Sequence, residues 1–112
     1  MSAAELKELL RADLKAAMRD RKTGDVSVIR TVIAAIDNAE AVPVDGMAER
    51  LRAREDIGEV ARRELDARAL GEILENEIAA RLSAAADYER LGLADDAARL
   101  RDEADLIERY RA

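Results

Sequence analysis

The sequence predicts an all-α fold: a four-helix bundle with a long, partly irregular loop between the second helix and a C-terminal helical hairpin. The 112 residues are rich in alanine, leucine, glutamate and arginine and contain a single proline, a composition that favours helices. Apolar residues also recur at three- and four-residue steps, which places them on one face of a helix. Aromatic residues make up only 2% of the chain, so we expect one domain with an aliphatic core.

The first helix is predicted over residues 3–22. Ser2 and Glu5 have the spacing of a capping box, in which each side chain hydrogen-bonds a free backbone N–H at the start of a helix. The expected buried stripe comprises Leu6, Leu9, Leu10, Leu14, Ala17 and Met18.

The second helix is predicted over residues 26–40, with Thr23-Gly24-Asp25 as the preceding stop and N-cap. Its β-branched residues are also compatible with a strand, but strict alternation would bury Arg30, so the spacing favours a helix. The expected stripe comprises Val28, Ile29, Val32, Ile33 and Ile36.

The C-terminal hairpin is predicted to consist of helices over 66–91 and 94–111, with Asp66 as the first N-cap and Leu65 as a hydrophobic staple. Gly92 should close the first of these helices in the left-handed conformation. The stripe of the first arm comprises Leu70, Ile73, Leu74, Ile78, Leu82, Ala85 and Tyr88. The stripe of the second arm comprises Leu93, Ala97, Leu100, Ala104, Ile107 and Tyr110.

Residues 41–65 lack a regular pattern and are predicted to form a loop, with a short helix over 47–56 or disorder as alternatives. Five arginines fall in this segment among carboxylates that nearly neutralise them: Arg50, Arg52, Arg54, Arg62 and Arg63. We expect a mobile or ion-paired surface segment, and the alternative is a segment that orders on a protein or RNA partner.

The composition limits the chemistry that the chain can perform. It contains no cysteine and no histidine, which excludes disulfides, thiolate nucleophiles, cysteine-ligated metals and the commonest general base. Neither a nucleophile elbow nor a phosphate-cradling glycine loop occurs. The sequence therefore predicts no catalytic residue, no cofactor and no metal. The absence of a signal peptide or membrane-spanning stretch predicts a soluble, cytoplasmic protein.

A basic stripe on the first helix is the main candidate for function. It comprises Lys7, Arg11, Lys15, Arg19 and Lys22. Four-residue steps keep these groups on one slowly drifting face, which can contact several backbone phosphates of a folded RNA. The alternative is a solvated face paired with neighbouring carboxylates, as the net charge of −6 suggests.

A structural charge network is predicted around Arg30, the one charge within the most apolar helix. A buried guanidinium requires a carboxylate or several carbonyls, and Glu77 or Glu103 can provide the carboxylate, with Arg81 as a second cation. The alternative is that Arg30 binds a ligand.

Several segments resemble the YqeY-like family. They are Arg11–Met18, Ile29-Arg30 with Ala34–Glu40, and the pattern Tyr88, Gly92 and Glu108-Arg109-Tyr110 in the hairpin. The resemblance covers the N-terminal helical subdomain, whereas family members continue into a smaller three-helix subdomain. It implies the helical fold shared by YqeY and the tail of GatB, a subunit of glutamine-dependent aminoacyl-tRNA amidotransferases.

The resemblance implies a non-catalytic accessory module, because the GatB tail helps to hold tRNA while other domains perform catalysis. Expected partners are tRNA or amidotransferase subunits. The alternative is a helical protein-interaction or structural module without a nucleic-acid role. A part in carbon–nitrogen ligase activity, with glutamine as the amido-N-donor, is the third and least favoured hypothesis.

Overall fold

The computed structural model describes residues 1–41 and 64–111 and confirms the all-α prediction. The described residues form four helices: α1 (Ala3–Arg19), α2 (Thr23–Glu40), α3 (Ala67–Arg90) and α4 (Ala94–Glu108). α1 packs on α2 as one hairpin, and α3 packs on α4 as a second. Most of the predicted loop, including the alternative helix over 47–56 and the five arginines, lies outside the described residues.

The core lies where the apolar face of α2 meets the second hairpin. Val28, Ile29, Val32 and Ile36 are all buried, and α2 packs against α1, α3 and α4. Their spacing gives a helix one continuous apolar face, whose burial is the main favourable term in folding. The other helices contribute Ala3, Leu6, Leu10, Ala17, Leu70, Leu74, Ile78, Ala104 and Ile107 to the same cluster. None of the four described helices is long and apolar enough to cross a membrane.

Both hairpins are closed by the same kind of turn. At the end of α3, Gly92 N–H donates to the Glu89 carbonyl (3.0 Å) and Leu93 N–H to the Tyr88 carbonyl (2.9 Å). These are the two bonds of a Schellman motif, which requires a left-handed residue, and Gly92 has φ 78°. The predicted role of Gly92 is therefore confirmed.

The first hairpin repeats this turn with an arginine in the left-handed position. Arg21 N–H donates to the Met18 carbonyl (3.2 Å), Lys22 N–H donates to the Ala17 carbonyl (2.9 Å), and Arg21 has φ 58°. The left-handed conformation costs a residue with a Cβ atom about 1 kcal/mol or more.

This turn shifts the predicted boundaries of the first two helices. The predicted first helix (3–22) ends at Arg19, and the predicted second helix (26–40) begins at Thr23. Thr23-Gly24-Asp25 is therefore the first turn of α2, since the left-handed Arg21 already ends α1. The predicted helices over 66–91 and 94–111 extend over 67–90 and 94–108.

The predicted N-caps of α3 and α1 are present in the structure. The Asp66 side chain accepts a hydrogen bond from Ala69 N–H at 2.8 Å, and Leu65 is buried beside it. Ser2 Oγ accepts from Glu5 N–H at 3.1 Å, so only the Ser2 half of the capping box forms among the described hydrogen bonds.

The distal part of the second hairpin, residues 81–101, extends beyond the main core and is called the arm below. Its only buried residues are Ala85 and Ala97, and neither belongs to the core cluster. This explains why Leu82 and Leu93, predicted to be buried, are exposed. Leu9 and Met18 of α1 are exposed as well, because they lie at the two margins of its apolar face.

Two glycine substitutions test the importance of the turn. We expect Gly92→Ala to lower the free energy of unfolding by about 1 kcal/mol, because alanine disfavours a positive φ. A Cβ atom at Gly92 meets nothing within 4 Å, so the effect reports backbone conformation alone.

The matched control is Gly71→Ala within α3, where a Cβ atom also meets open space. This change should raise the free energy of unfolding by about 0.5–1 kcal/mol, because alanine favours a helix. Urea denaturation measures both values, and effects of the same sign would contradict the assigned turn.

Candidate functional site

The predicted basic face begins at Lys7, whose side chain turns towards α2. Lys7 Nζ lies 3.2 Å from Asp37 Oδ1 and 2.5 Å from Glu40 Oε1, and only 14% of its side chain is exposed. The hydrogen bond to Glu40 is the main reason that the pKa of Lys7 is raised, while burial opposes the shift. Lys7 thus joins α1 to α2 and does not belong to the exposed face.

The remaining members of the basic stripe are exposed but do not share one surface. Arg11 and Lys15 form no ion pair with another described residue. Arg19 Nε lies 3.9 Å from Asp20 Oδ1 with both side chains in water, so this pair contributes little. Lys22 lies beyond the end of α1 and lines an acidic cleft on another side of the hairpin.

Arg30 is exposed, so the prediction that it is buried in a charge network is wrong. Its Nη2 atom lies 3.8 Å from Met18 Sδ and contacts neither Glu77 nor Glu103. At about 100° per residue, position 30 lies roughly 140° from the centre of the buried face of α2. The helical period therefore places Arg30 towards solvent.

The other three members of the predicted network do come together. Arg81 Nη1 lies 3.0 Å from Glu77 Oε1, and Arg81 Nε lies 3.2 Å from Glu103 Oε1. The three side chains are largely buried, and the pair with Glu103 connects α3 to α4. This cluster holds the base of the arm in place and leaves no free charge for a ligand.

Arg21 and Arg30 line one groove between the end of α1 and the start of α2, which we call the arginine groove. It has a volume of about 700 Å³ and is lined by Met18, Arg21, Thr23, Val26, Ser27, Arg30 and Thr31. Thr31 Oγ1 donates to the Ser27 carbonyl at 3.0 Å, and no carboxylate from residues 1–41 or 64–111 lines the groove. The arrangement favours an anion.

Arg21 was not among the predicted site residues, since the sequence places it in a connecting segment. Position 21 is the left-handed residue of the turn, where glycine is the favoured residue. An arginine at a position that favours glycine could indicate a functional side chain. This can be recognised in the sequence only when the end of α1 is placed correctly, at Arg19.

Charge is distributed unevenly between the two hairpins. Residues 1–41 contain seven basic and seven acidic side chains, whereas residues 64–111 contain seven basic and thirteen acidic ones. Because residues 42–63 contain five of each, the net charge of −6 arises from the second hairpin.

The arginines of the two hairpins also differ in their partners. In the second hairpin, six of the seven pair with carboxylates: Arg68, Arg81, Arg90, Arg99, Arg101 and Arg111. In the first hairpin, Arg11, Lys15, Arg21 and Arg30 have no carboxylate partner among the described residues. The basic groups available to a ligand therefore lie mainly on the first hairpin.

An acidic cleft of about 330 Å³ lies on another side of that hairpin, against the end of α4. Asp13, Asp20, Asp25, Lys22 and Arg109 contribute to its lining. Tyr110 closes one wall of the cleft, and its hydroxyl donates to Asp13 Oδ2 at 2.5 Å. Burial, followed by this hydrogen bond, raises the pKa of Tyr110 above its ordinary value of about 10.

The described side chains offer basic groups that can bind an anion. Within residues 1–41 and 64–111, no three carboxylates are placed to hold a metal ion. Tyr110, whose pKa is raised, donates the hydrogen bond that joins the segment after α4 to α1. Its hydroxyl therefore has a structural role.

Comparison of the sequence with models of known protein families and with curated proteins gives no match. The resemblance to the YqeY-like family stays a prediction.

Tyr110→Phe tests the hydrogen bond between the two hairpins. Near neutral pH, loss of this bond should lower the free energy of unfolding by about 1–2 kcal/mol. Above pH 10, the unfolded wild-type chain releases the Tyr110 proton while the folded chain keeps it, so wild-type stability falls as pH rises. The variant should show a shallower decline.

Urea denaturation at neutral and alkaline pH measures both effects. Tyr88→Phe is the matched control, because the Tyr88 hydroxyl makes no hydrogen bond with a described residue. Equal alkaline slopes for wild type and Tyr110→Phe would show that Tyr110 does not retain its proton in the folded state.

Proposed function

We propose that this protein is a non-catalytic accessory module that associates with folded RNA such as tRNA through the first hairpin. The observation that carries the proposal is the set of unpaired basic side chains on α1 and the following turn, on a chain whose net charge is −6. Arg11 and Lys15 are exposed and unpaired on α1, and Arg19 is exposed with only a weak pair to Asp20. Arg21 and Arg30 line the arginine groove at the end of this helix.

The physical basis is local attraction to phosphates combined with repulsion elsewhere. Arginine and lysine bind phosphate oxygens and release counterions, which gives affinity without reading the base sequence. The acidic second hairpin repels the same polyanion, so RNA is expected to approach the first hairpin. An RNA bound to the first hairpin would not contact the arm.

The resemblance to the tail of GatB supports tRNA as the RNA concerned. It also suggests that any link to carbon–nitrogen ligase chemistry is indirect. The described side chains include no nucleophile–base pair and no metal-binding carboxylate cluster. The role that fits these residues is to position RNA for a separate enzyme.

Charge reversal on α1 tests the proposal. We expect the triple variant Arg11→Glu, Lys15→Glu, Arg19→Glu to bind tRNA at least about tenfold more weakly than wild type at low salt. The slope of log affinity against log salt should become shallower by about 2 units, since roughly three phosphate contacts are lost. Fluorescence anisotropy at several salt concentrations measures both quantities.

The matched control is the triple variant Arg68→Glu, Arg90→Glu, Arg99→Glu, which changes the net charge by the same amount on the second hairpin. It should retain most of the wild-type affinity, because these arginines already pair with carboxylates. Equal weakening by both variants would refute a localised site, and no binding by the wild-type chain would refute the function.

A protein-interaction module is the second candidate, favoured by the exposed leucines of the arm. Leu91, at the tip of the arm, is 72% exposed, and Leu82 and Leu93 are also exposed. Leu91 and Leu93 flank the turn between α3 and α4, and exposed apolar side chains at such a turn can contact a protein partner. Amidotransferase subunits are the partner suggested by the resemblance.

Leu91→Glu tests this second candidate. Placing a charge at the tip should abolish co-sedimentation with purified amidotransferase subunits and leave tRNA affinity unchanged. Leu9→Glu, an exposed leucine on α1, is the control and should retain the interaction. Absence of co-sedimentation by the wild-type chain would exclude these subunits as partners.

A further inference from the structure

We propose that Arg21 and Arg30 form a phosphate-binding subsite in the arginine groove, and that Arg21 occupies a strained backbone position because its side chain serves this subsite. The inference rests on the proposed RNA association for the source of its phosphate. It goes further by assigning binding to two residues outside the predicted stripe.

The conformation of Arg21 is the first observation. Among the described residues, it is the only one other than glycine with a positive φ. The equivalent position in the second hairpin, with the same pair of Schellman hydrogen bonds, holds Gly92. The turn therefore does not require an arginine side chain. A residue kept in an unfavourable conformation points to a functional use of that side chain.

The lining of the groove is the second observation. Arg21 and Arg30 both line it, and neither has a carboxylate partner among the described residues. Two guanidinium groups in one groove repel each other, and an anion between them relieves that repulsion. Because guanidinium groups match the geometry of phosphate oxygens, a phosphate is the anion that fits best.

The surroundings of Arg30 are the third observation. Its guanidinium rests against Met18 Sδ at 3.8 Å, which limits the directions available to an exposed side chain. Thr23 and Ser27, which carry hydroxyl groups, line the same groove. Serine and threonine hydroxyls are common donors to phosphate oxygens, so this lining suits a phosphate.

The decisive variant is Arg21→Gly, because the proposal predicts opposite changes in stability and binding. Glycine relieves the backbone strain, so the folded-to-unfolded ratio should rise about fivefold. Loss of the guanidinium should weaken tRNA binding about fivefold to tenfold at low salt. A residue with a purely structural role would not produce this combination.

Two further variants test whether the charge and the second guanidinium are needed for binding. Arg21→Lys keeps the charge and the strained backbone but loses the planar guanidinium, so it should bind tRNA more tightly than Arg21→Gly and more weakly than wild type, without the gain in stability. Arg30→Met removes the second guanidinium and should weaken binding about as much as Arg21→Gly. Arg109→Ala is the matched control, because it removes an exposed and unpaired arginine from the acidic cleft.

The outcomes separate the subsite from the proposed function. If the wild-type chain binds tRNA, and Arg21→Gly binds as well as Arg109→Ala does, the subsite is overturned while the RNA function stands. If the wild-type chain does not bind tRNA, the RNA function is overturned, and titration with inorganic phosphate decides the subsite. Amide signals of residues 21–31 that shift in wild type but not in Arg21→Gly would then support it, whereas unchanged wild-type signals would overturn it.

Discussion

Burial of the apolar face of α2 is the constraint on which the rest of the structure depends. Val28, Ile29, Val32 and Ile36 place β-branched side chains along one side of this helix, and α2 packs against all three other helices. Either hairpin alone would leave an apolar surface in water. The position of α2 therefore fixes which sides of α1 and of the first turn face solvent, and with them the groups available to a ligand.

The helical pattern could be predicted from the sequence because it depends on local spacing. The four helices, the Asp66 cap and the Gly92 turn all follow from residues within a few positions of one another. The turn at Arg21 could not be predicted in the same way, because glycine normally marks this geometry. The nearby Gly24 instead suggested a later boundary.

The candidate site was harder to predict because it depends on contacts between distant parts of the chain. Lys7 belongs to a regular basic stripe, and its removal from the exposed face results from carboxylates thirty and thirty-three residues away. The apolar neighbours of Arg30 in sequence predict that it is buried, although its angle around α2 directs it to solvent. Local pattern thus predicted the presence of basic groups, and packing determined which of them remain exposed.

The arm is expected to unfold locally before the rest of the molecule. Its helices are held together by close contact at Ala85 and Ala97 and by ion pairs such as Arg101 with Glu89, with little apolar area buried. Local opening free energy follows buried apolar contact, so native-state hydrogen exchange should be fastest in the arm and slowest along α2. Rising ionic strength would screen the exposed ion pairs of the arm and leave the α2 core unaffected. The hairpin with the stronger charge is thus the one whose order depends more on salt.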